Sequence, residues 1–406
     1  MFVTMRAPVF TLHNVENSMN YLRTLFFSII ALMSFTALAN GALPMAMGAP
    51  SIDAPAYVIM DYHTGTVLAE KNADARREPA SLTKMMTSYV LSSEIASGRV
   101  KAEDLATVSE KAWRLNKNPS ENSLMFLEVN KQVSLHDLHL GIIIQSGNDA
   151  SIVVAEHLAG SEEAFANMMN QYAKRLGMTG THFKNSTGLP DPEHYSTARD
   201  MAILGAALIR DFPQDYAYYS QKEFSFNGIT QANRNSLLWD KSFNVDGIKT
   251  GHTSGAGFCL VSSVEENGMR LISSVMGSKN MATRAQESKV LLTWAFRNFD
   301  AVQAVKAGDT LTTTRLWYGA KEQLPVGLAS AANVVIPRGR RAELKANFSL
   351  LPELEAPMPK GQVVGKLFLQ LDGKDIAEFP LVALEEVQEG GLFSRAADWV
   401  SKKFAD

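Results

Sequence analysis

The sequence predicts an α+β fold followed by a small all-β unit, and three observations carry that reading. β-type runs stand at both ends of the first 300 residues with helical patterns between them, so one sheet draws strands from both ends. From about 301 to 388 the helical patterns vanish, and short β runs punctuated by Gly, Pro and Asp replace them. Hydrophobic residues make up 46% of the 406 and charged ones 20%, which suits a sizeable core.

The elements follow in chain order. Arg23 precedes an apolar stretch, 25–35, and Ala37-Leu38-Ala39 closes it. A basic flank, a short apolar run and a small-x-small exit describe a secretory signal peptide over residues 1–39, cleaved after Ala39, with Met19 a second candidate start. The run is shorter than the roughly 20 apolar residues a bilayer span needs. Residues 56–60 and 66–70 flank the turn-rich Asp61-Tyr62-His63-Thr64-Gly65 and read as a hairpin. Helical patterns cover 81–97, 134–144, 147–159, 161–176 and 196–210, the last opened by Thr197 with an acid, Asp200, in its first turn. Strands are expected at 222–229, 246–251, 257–264 and 270–276, and a helix at 283–299 closes a first domain of residues 40–300.

The second domain, 301–388, carries β runs at 310–317, 333–337, 342–350, 362–371 and 376–383. Gly390-Gly391 then precedes a terminal amphipathic segment within 389–406. At about 100° per residue, Phe393, Ala396, Ala397, Val400 and Phe404 share one face, with Leu392 and Trp399 at its edge. Arg395, Asp398 and Lys402 lie opposite. A Trp, bulky apolar residues and a Lys-Lys pair fit a helix lying in the plane of a membrane surface, with residues 390–406 in contact with it.

Composition excludes several classes of function. A formal net charge of −3 argues against nucleic acid as a partner. Cys259 is the single cysteine, so no intramolecular disulfide forms, and its β-type surroundings point to a buried thiol rather than a nucleophile. The eight histidines show no metal-ligand spacing, so neither a metal nor another cofactor is implied.

Chemistry concentrates in three short motifs. Ser81 has a lysine three residues on, Lys84, where a helix begins behind Pro79. Positions i and i+3 share one helical face, so hydroxyl and amine approach each other above the helix's positive end. That arrangement suits a serine nucleophile with lysine as its base. Lys249-Thr250-Gly251 follows a β-type run. Ser-x-Asn occurs at Ser18, Ser120, Ser146, Ser225, Ser242 and Ser278, and only Ser146-Gly147-Asn148 sits in a short loop between two apolar helical runs.

The ordered set SxxK, SxN, KTG resembles the penicillin-binding proteins and serine β-lactamases. Pro79-Ala80-Ser81-Leu82-Thr83-Lys84, Gln145-Ser146-Gly147-Asn148-Asp149-Ala150, Asn233-Arg234-Asn235-Ser236-Leu237-Leu238-Trp239 and the residues around Lys249-Thr250-Gly251-His252-Thr253 resemble the low-molecular-mass D-alanyl-D-alanine carboxypeptidases. The likeness extends over nearly the whole chain, the β domain and terminal helix included. It implies a transpeptidase-type domain that takes peptidoglycan stem peptides ending in D-Ala-D-Ala and is acylated by β-lactams. Ser81 would form the acyl-enzyme, Lys84 would be the base, and Ser146 would relay a proton. Asn148 would bind the substrate's peptide group, and Lys249 would supply the cation that lowers the Lys84 pKa. The N–H groups of Ser81 and His252 would form the oxyanion hole, with Gly251 allowing close approach. Thr250, Arg234 and Arg284 would meet the terminal carboxylate.

Alternatives stay open at this level. A β-lactamase is disfavoured because Glu193 lacks a Glu-x-x-Leu-Asn context, an endopeptidase would need no carboxylate clamp, and a non-catalytic β-lactam sensor would not need the complete motif set.

Overall fold

The computed structural model describes residues 48–119 and 122–403. The expected signal peptide and Phe404 lie outside the described residues.

Strands β1 (Ala56–Asp61) and β2 (Val67–Lys71) form the expected hairpin. A 3₁₀ turn, Ala80–Thr83, leads into helix α1 (Lys84–Ala96). Ser81 therefore lies just ahead of the α-helix and not in its first turn. The effect on the motif is small, because residues i and i+3 eclipse in a 3₁₀ turn. A short ribbon of β3 (Leu105–Thr107) and β4 (Gln132–Ser134), which the sequence reading lacks, precedes α2 (Leu135–Leu140). The helix then widens into a π-turn, Gly141–Gln145, and stops at Ser146, which is left-handed at φ 59°. Helices α3 (Asn148–Ala159), α4 (Glu162–Arg175) and α5 (Ala198–Asp211) follow. Thr197 caps α5 by accepting from Asp200 N.

A ribbon of β5 (Glu223–Phe226) and β6 (Ile229–Ala232) leads to the long strands β7 (Val245–Thr253), β8 (Gly257–Glu266) and β9 (Met269–Ser278), then α6 (Met281–Asn298). The main sheet has the order β2-β1-β9-β8-β7 and is antiparallel throughout, so β1 pairs directly with β9. That is the sheet shared between chain ends which the sequence implies. The period of two in β1 sends Val58 and Met60 to a core with Met201, Leu204 and Leu208 of α5. Tyr57 and Ile59 face the other way, onto Leu291, Leu292 and Ala295 of α6. A further apolar cluster around Leu91, Leu138, Ile142 and Val153 holds the helical part.

The C-terminal part has its own core, including Leu324, Val364, Leu369 and Leu381. Strands β10 (Phe299–Val305) and β13 (Ala332–Pro337) pair with each other. The larger sheet takes β11 (Thr310–Arg315), β12 (Gln323–Gly327), β14 (Lys345–Leu350), β15 (Val363–Leu371) and β16 (Lys374–Ala383) in the order β11-β12-β16-β15-β14. The sequence reading lacks β10, which continues directly from α6, and β12, which contains Pro325.

The terminal helix α7 (Leu392–Lys403) is present, and Gly390-Gly391 is no free hinge before it. Gly390 N donates to Tyr318 O, and Asp398, which is buried, accepts from Arg315 Nη2 and Tyr318 N at 2.9 and 2.7 Å. Lys402 pairs with Glu353 and Glu355. The helix is thus docked by its polar side, while Leu392 and Phe393 are 83% and 94% exposed and Trp399 and Val400 also face outward. No helix among the described residues is long and apolar enough to cross a membrane.

Candidate active site

The site forms where the Ser81 turn, the Ser146 loop and strand β7 meet. Ala80 holds φ at +47° and Ser146 at +59°, two non-glycine residues in left-handed backbone. Such strain costs about 1–3 kcal/mol each and persists where surrounding packing imposes it. At Ala80 the neighbour is Gly188, whose absent Cβ would lie 1.9 Å from Ala80 O. Any side chain at 188 would collide with the backbone beside the serine.

Lys84 is buried, and its Nζ is hydrogen-bonded to three oxygens. They are Ser81 Oγ at 3.2 Å, Asn148 Oδ1 at 2.7 Å and Thr187 O at 2.6 Å. The last two are pure acceptors and claim two N–H bonds. A neutral amine held this way turns its lone pair to the Ser81 hydroxyl. Burial, helped by the Arg234 charge and opposed by Asp149 and Glu162, holds the Lys84 pKa down to about 7. Arg234 is a cation that depresses Lys84, and the charges of Lys84 and Lys249 oppose each other. Lys249 is itself held well below the usual lysine range, first by burial and then by Lys84, Arg234 and Arg284.

Lys249 Nζ donates to Ser146 Oγ at 3.0 Å and to Thr250 O at 3.2 Å. Ser146 is joined to Lys249 and not to Lys84. Asn148 has both ends of its amide engaged, accepting from Lys84 and donating from Nδ2 to Asn122 Oδ1 at 3.0 Å. Gly251 packs directly on the serine turn. A Cβ there would lie 2.9 Å from Pro79 O and 3.2 Å from the Ser81 and Leu82 nitrogens. Thr250 is buried beside it, and His252 is exposed with its ring stacked on Phe258 at 4.0 Å.

Arg234 is exposed and donates to Ser123 Oγ. Arg284 differs, being buried with Nη1 on Cys259 O at 3.3 Å and Nη2 on Arg234 O at 3.5 Å. It braces the backbone of β8 and of Arg234 from behind. Glu193 is exposed and paired with Lys184 at 3.2 Å. Among the described residues, Arg234 and Arg284 donate to hydroxyl and carbonyl oxygens rather than carboxylates, which leaves a cationic cleft.

Several supports were not legible in the motifs. Thr187 acts through its backbone oxygen, presented by a turn in which Asn185 Oδ1 accepts from Thr187 N and Gly188 N. The Asn-Ser-Thr-Gly run at 185–188 is a turn signal, but nothing in it names a lysine partner. His194 bonds Thr83 Oγ1 at 2.8 Å and accepts from Lys184 N, while burial lowers its pKa to about 4. Asp149 is buried and accepts from Met125 N and Leu127 N, tying the segment that carries Asn122 and Ser123 to α3.

A family model described as D-alanyl-D-alanine carboxypeptidase, peptidase S11, matches residues 44–280. The chain belongs to the peptidase S11 family. A second model, the C-terminal domain of penicillin-binding protein 5, matches residues 299–389 of this S11 protein. D-alanyl-D-alanine carboxypeptidase DacC of Escherichia coli K12 is 50% identical over 366 residues, covering 89% of this chain and 91% of that one. Penicillin-binding protein 5 from Haemophilus influenzae has a solved structure with a TM-score of 0.81 and 46% identity, covering 85% of this chain and all of its own. Penicillin-binding protein D2 from Listeria monocytogenes, solved in a cefotaxime-bound form, aligns at a TM-score of 0.56 and 27% identity over 62% of this chain and all of its own.

Proposed function

We propose that this S11 protein is a serine D-alanyl-D-alanine carboxypeptidase that removes the terminal D-alanine from peptidoglycan stem pentapeptides. The observation that carries this reading is the Lys84 amine, held by Asn148 Oδ1 and Thr187 O and aimed at Ser81 Oγ. Ser81 attacks the carbonyl carbon of the penultimate D-alanine while its proton passes to Lys84. The oxyanion is met by the N–H groups of Ser81 and His252, at the junction where Gly251 packs on the serine turn. The C–N bond then breaks, and the proton that Lys84 took from Ser81 passes through Ser146, whose oxygen Lys249 holds, to the departing D-alanine nitrogen, so Lys84 is neutral again. Water, deprotonated by Lys84, attacks the ester carbonyl, and Lys84 returns that proton to Ser81 Oγ as the C–O bond breaks.

Strand β7 is the last in its sheet, so its outer edge offers unpaired backbone groups to an extended peptide. The cationic cleft favours a free C-terminal carboxylate and hence a carboxypeptidase over an endopeptidase. The test is direct: purified protein is incubated with diacetyl-Lys-D-Ala-D-Ala, and free D-alanine is measured. Arg234→Ala is expected to weaken recognition of that peptide about 10- to 100-fold, the worth of one charge-assisted hydrogen bond. A peptide amidated at its C-terminus should lose far less; equal losses would remove the carboxylate role. Arg284 acts on this contact through Arg234's backbone.

β-Lactams enter as slow substrates. The cefotaxime-bound neighbour supports acylation of Ser81, and Glu193, turned to Lys184, supplies no second base for release.

The reading also places the protein in the periplasm, on the outer face of the cytoplasmic membrane. Residues 1–39 are removed on export, 40–300 carry the chemistry, 301–388 form a β domain and 389–406 anchor it. The outward apolar side of α7 supports the anchor, since its polar side is already taken by the β domain. Deleting residues 390–406 is expected to abolish cosedimentation with phosphatidylethanolamine–phosphatidylglycerol vesicles while leaving D-alanine release from a soluble peptide unchanged. A truncated protein still bound to vesicles would refute the anchor.

A further inference from the structure

Glu78 has no part in the chemistry above, yet it joins the two pieces of backbone that the oxyanion hole requires. It lies three residues ahead of Ser81 and reaches the turn between β7 and β8. Its Oε2 accepts from Thr253 Oγ1 at 2.9 Å, and the same Oγ1 accepts from Ala256 N at 2.9 Å. Gly255 lies flat against the carboxylate, its absent Cβ only 2.4 Å from Glu78 Oε1. Thr253 directly follows His252.

The backbone around Glu78 is fixed from the other side as well. Arg77 N and O bond Ser196 O and N at 2.8 and 2.9 Å. Strand β7 is an edge strand paired only with β8, and its other ties, among them Asn235 Nδ2 to Gly247 O and Lys249 Nζ to Ser146 Oγ, come before Gly251 and not at the His252 end. Contact of Gly251 with Pro79 O stops β7 from moving inward, but van der Waals contact does not stop it from moving out. A hydrogen bond to an anchored carboxylate does.

We propose that Glu78 is a positioning residue that sets the separation between the Ser81 and His252 N–H groups by strapping the end of β7 to the serine turn. The proposal rests on the carboxypeptidase reading, which supplies those two donors. The strap acts on the transition state, since the ground-state carbonyl demands less of the donors than the oxyanion does.

The test uses the full chain, diacetyl-Lys-D-Ala-D-Ala and a peptide boronic acid that forms a tetrahedral adduct on Ser81. Glu78→Ala is expected to lower kcat about 10- to 100-fold, the order of loss for reacting groups displaced by roughly 1 Å, with KM little changed. Boronate affinity should fall by the same factor. Glu78→Gln keeps an acceptor and should stay near wild type. Thr253→Val should match Glu78→Ala and Thr253→Ser should not, a comparison that decides the matter if Glu78→Ala does not fold. Wild-type kcat and boronate affinity in both deletion variants, or a loss confined to KM, would overturn the strap. Wild-type protein that releases no D-alanine would overturn the carboxypeptidase reading and the strap with it.

Discussion

Replacing Ser81 with alanine is expected to abolish D-alanine release and covalent labelling by a fluorescent penicillin together. The size of the effect follows from the chemistry, because the acyl-enzyme needs a bond to Ser81 Oγ and no other group can form it. Loss of the nucleophile in a serine hydrolase costs on the order of 10⁶ in kcat. Two alternatives are close at hand and fail on position. Ser146 is buried with its oxygen on Lys249, and Cys259 is buried in β8 with its thiol pKa raised to about 11. Of these three, only Ser81 combines partial exposure with a basic amine at its oxygen. Labelling that survives in Ser81→Ala would move the nucleophile elsewhere and end the proposal.

Lys84→Arg is expected to be the second severe lesion, with acylation reduced about 10²- to 10⁴-fold, the range for losing a general base. Arginine keeps the charge and the donors to Asn148 Oδ1 and Thr187 O, but it has no lone pair to offer at any ordinary pH. The native pH profile separates this role from simple packing. Lys84 is lowered to about 7, so below that value it is protonated and cannot accept from Ser81. The kcat/KM for acylation should therefore climb as pH rises through about 7, and this limb should vanish in Lys84→Arg. A profile flat across neutrality in the native enzyme would show that Lys84 is not the base. The same lowering has a consequence for stability. The unfolded chain holds the Lys84 proton more tightly than the folded one, so this residue's contribution to stability rises from about pH 7 toward the usual lysine pKa.

The two lysines illustrate how far local sequence reaches. Ser81 and Lys84 are three residues apart, and their contact is built into one turn. The bonds that make Lys84 a base span 64 residues to Asn148 and 103 to Thr187. No periodicity predicts them. The family resemblance implied Lys249 as the cation acting on Lys84, and the fold adds Arg234 to that role while giving Lys249 a hydrogen bond to Ser146. Arg284 is a similar case. The resemblance implied a carboxylate partner, and the fold sets its Nη1 and Nη2 on the carbonyls of Cys259 and Arg234.

Secondary structure was legible where the period was long and failed where a turn or a proline interrupted it. The helices α3, α4 and α5 lie close to their predicted spans, and strands β7, β8 and β9 are longer than their apolar cores suggested. Strand β12 was hidden by Pro325, and the end of α2 by a π-turn that no residue type announces. In α7 the polar and apolar sides were readable from spacing alone. Which side the β domain would take was not, because Asp398 finds Arg315 and Tyr318 only after the chain has folded back over 80 residues or more.

By itself, then, the amino-acid order determined the inventory: a serine one turn from a lysine, a sheet assembled from both ends of the first domain, a β-rich second part and a two-sided terminal helix. Those features arise from neighbours a few positions apart, where backbone geometry dictates what can touch. Tertiary packing alone decided which oxygens hold the amine, which cations surround it and which side of the last helix is left free. Such partners are brought together by burial of the core, which acts on the whole chain at once and leaves no trace in any short stretch of it.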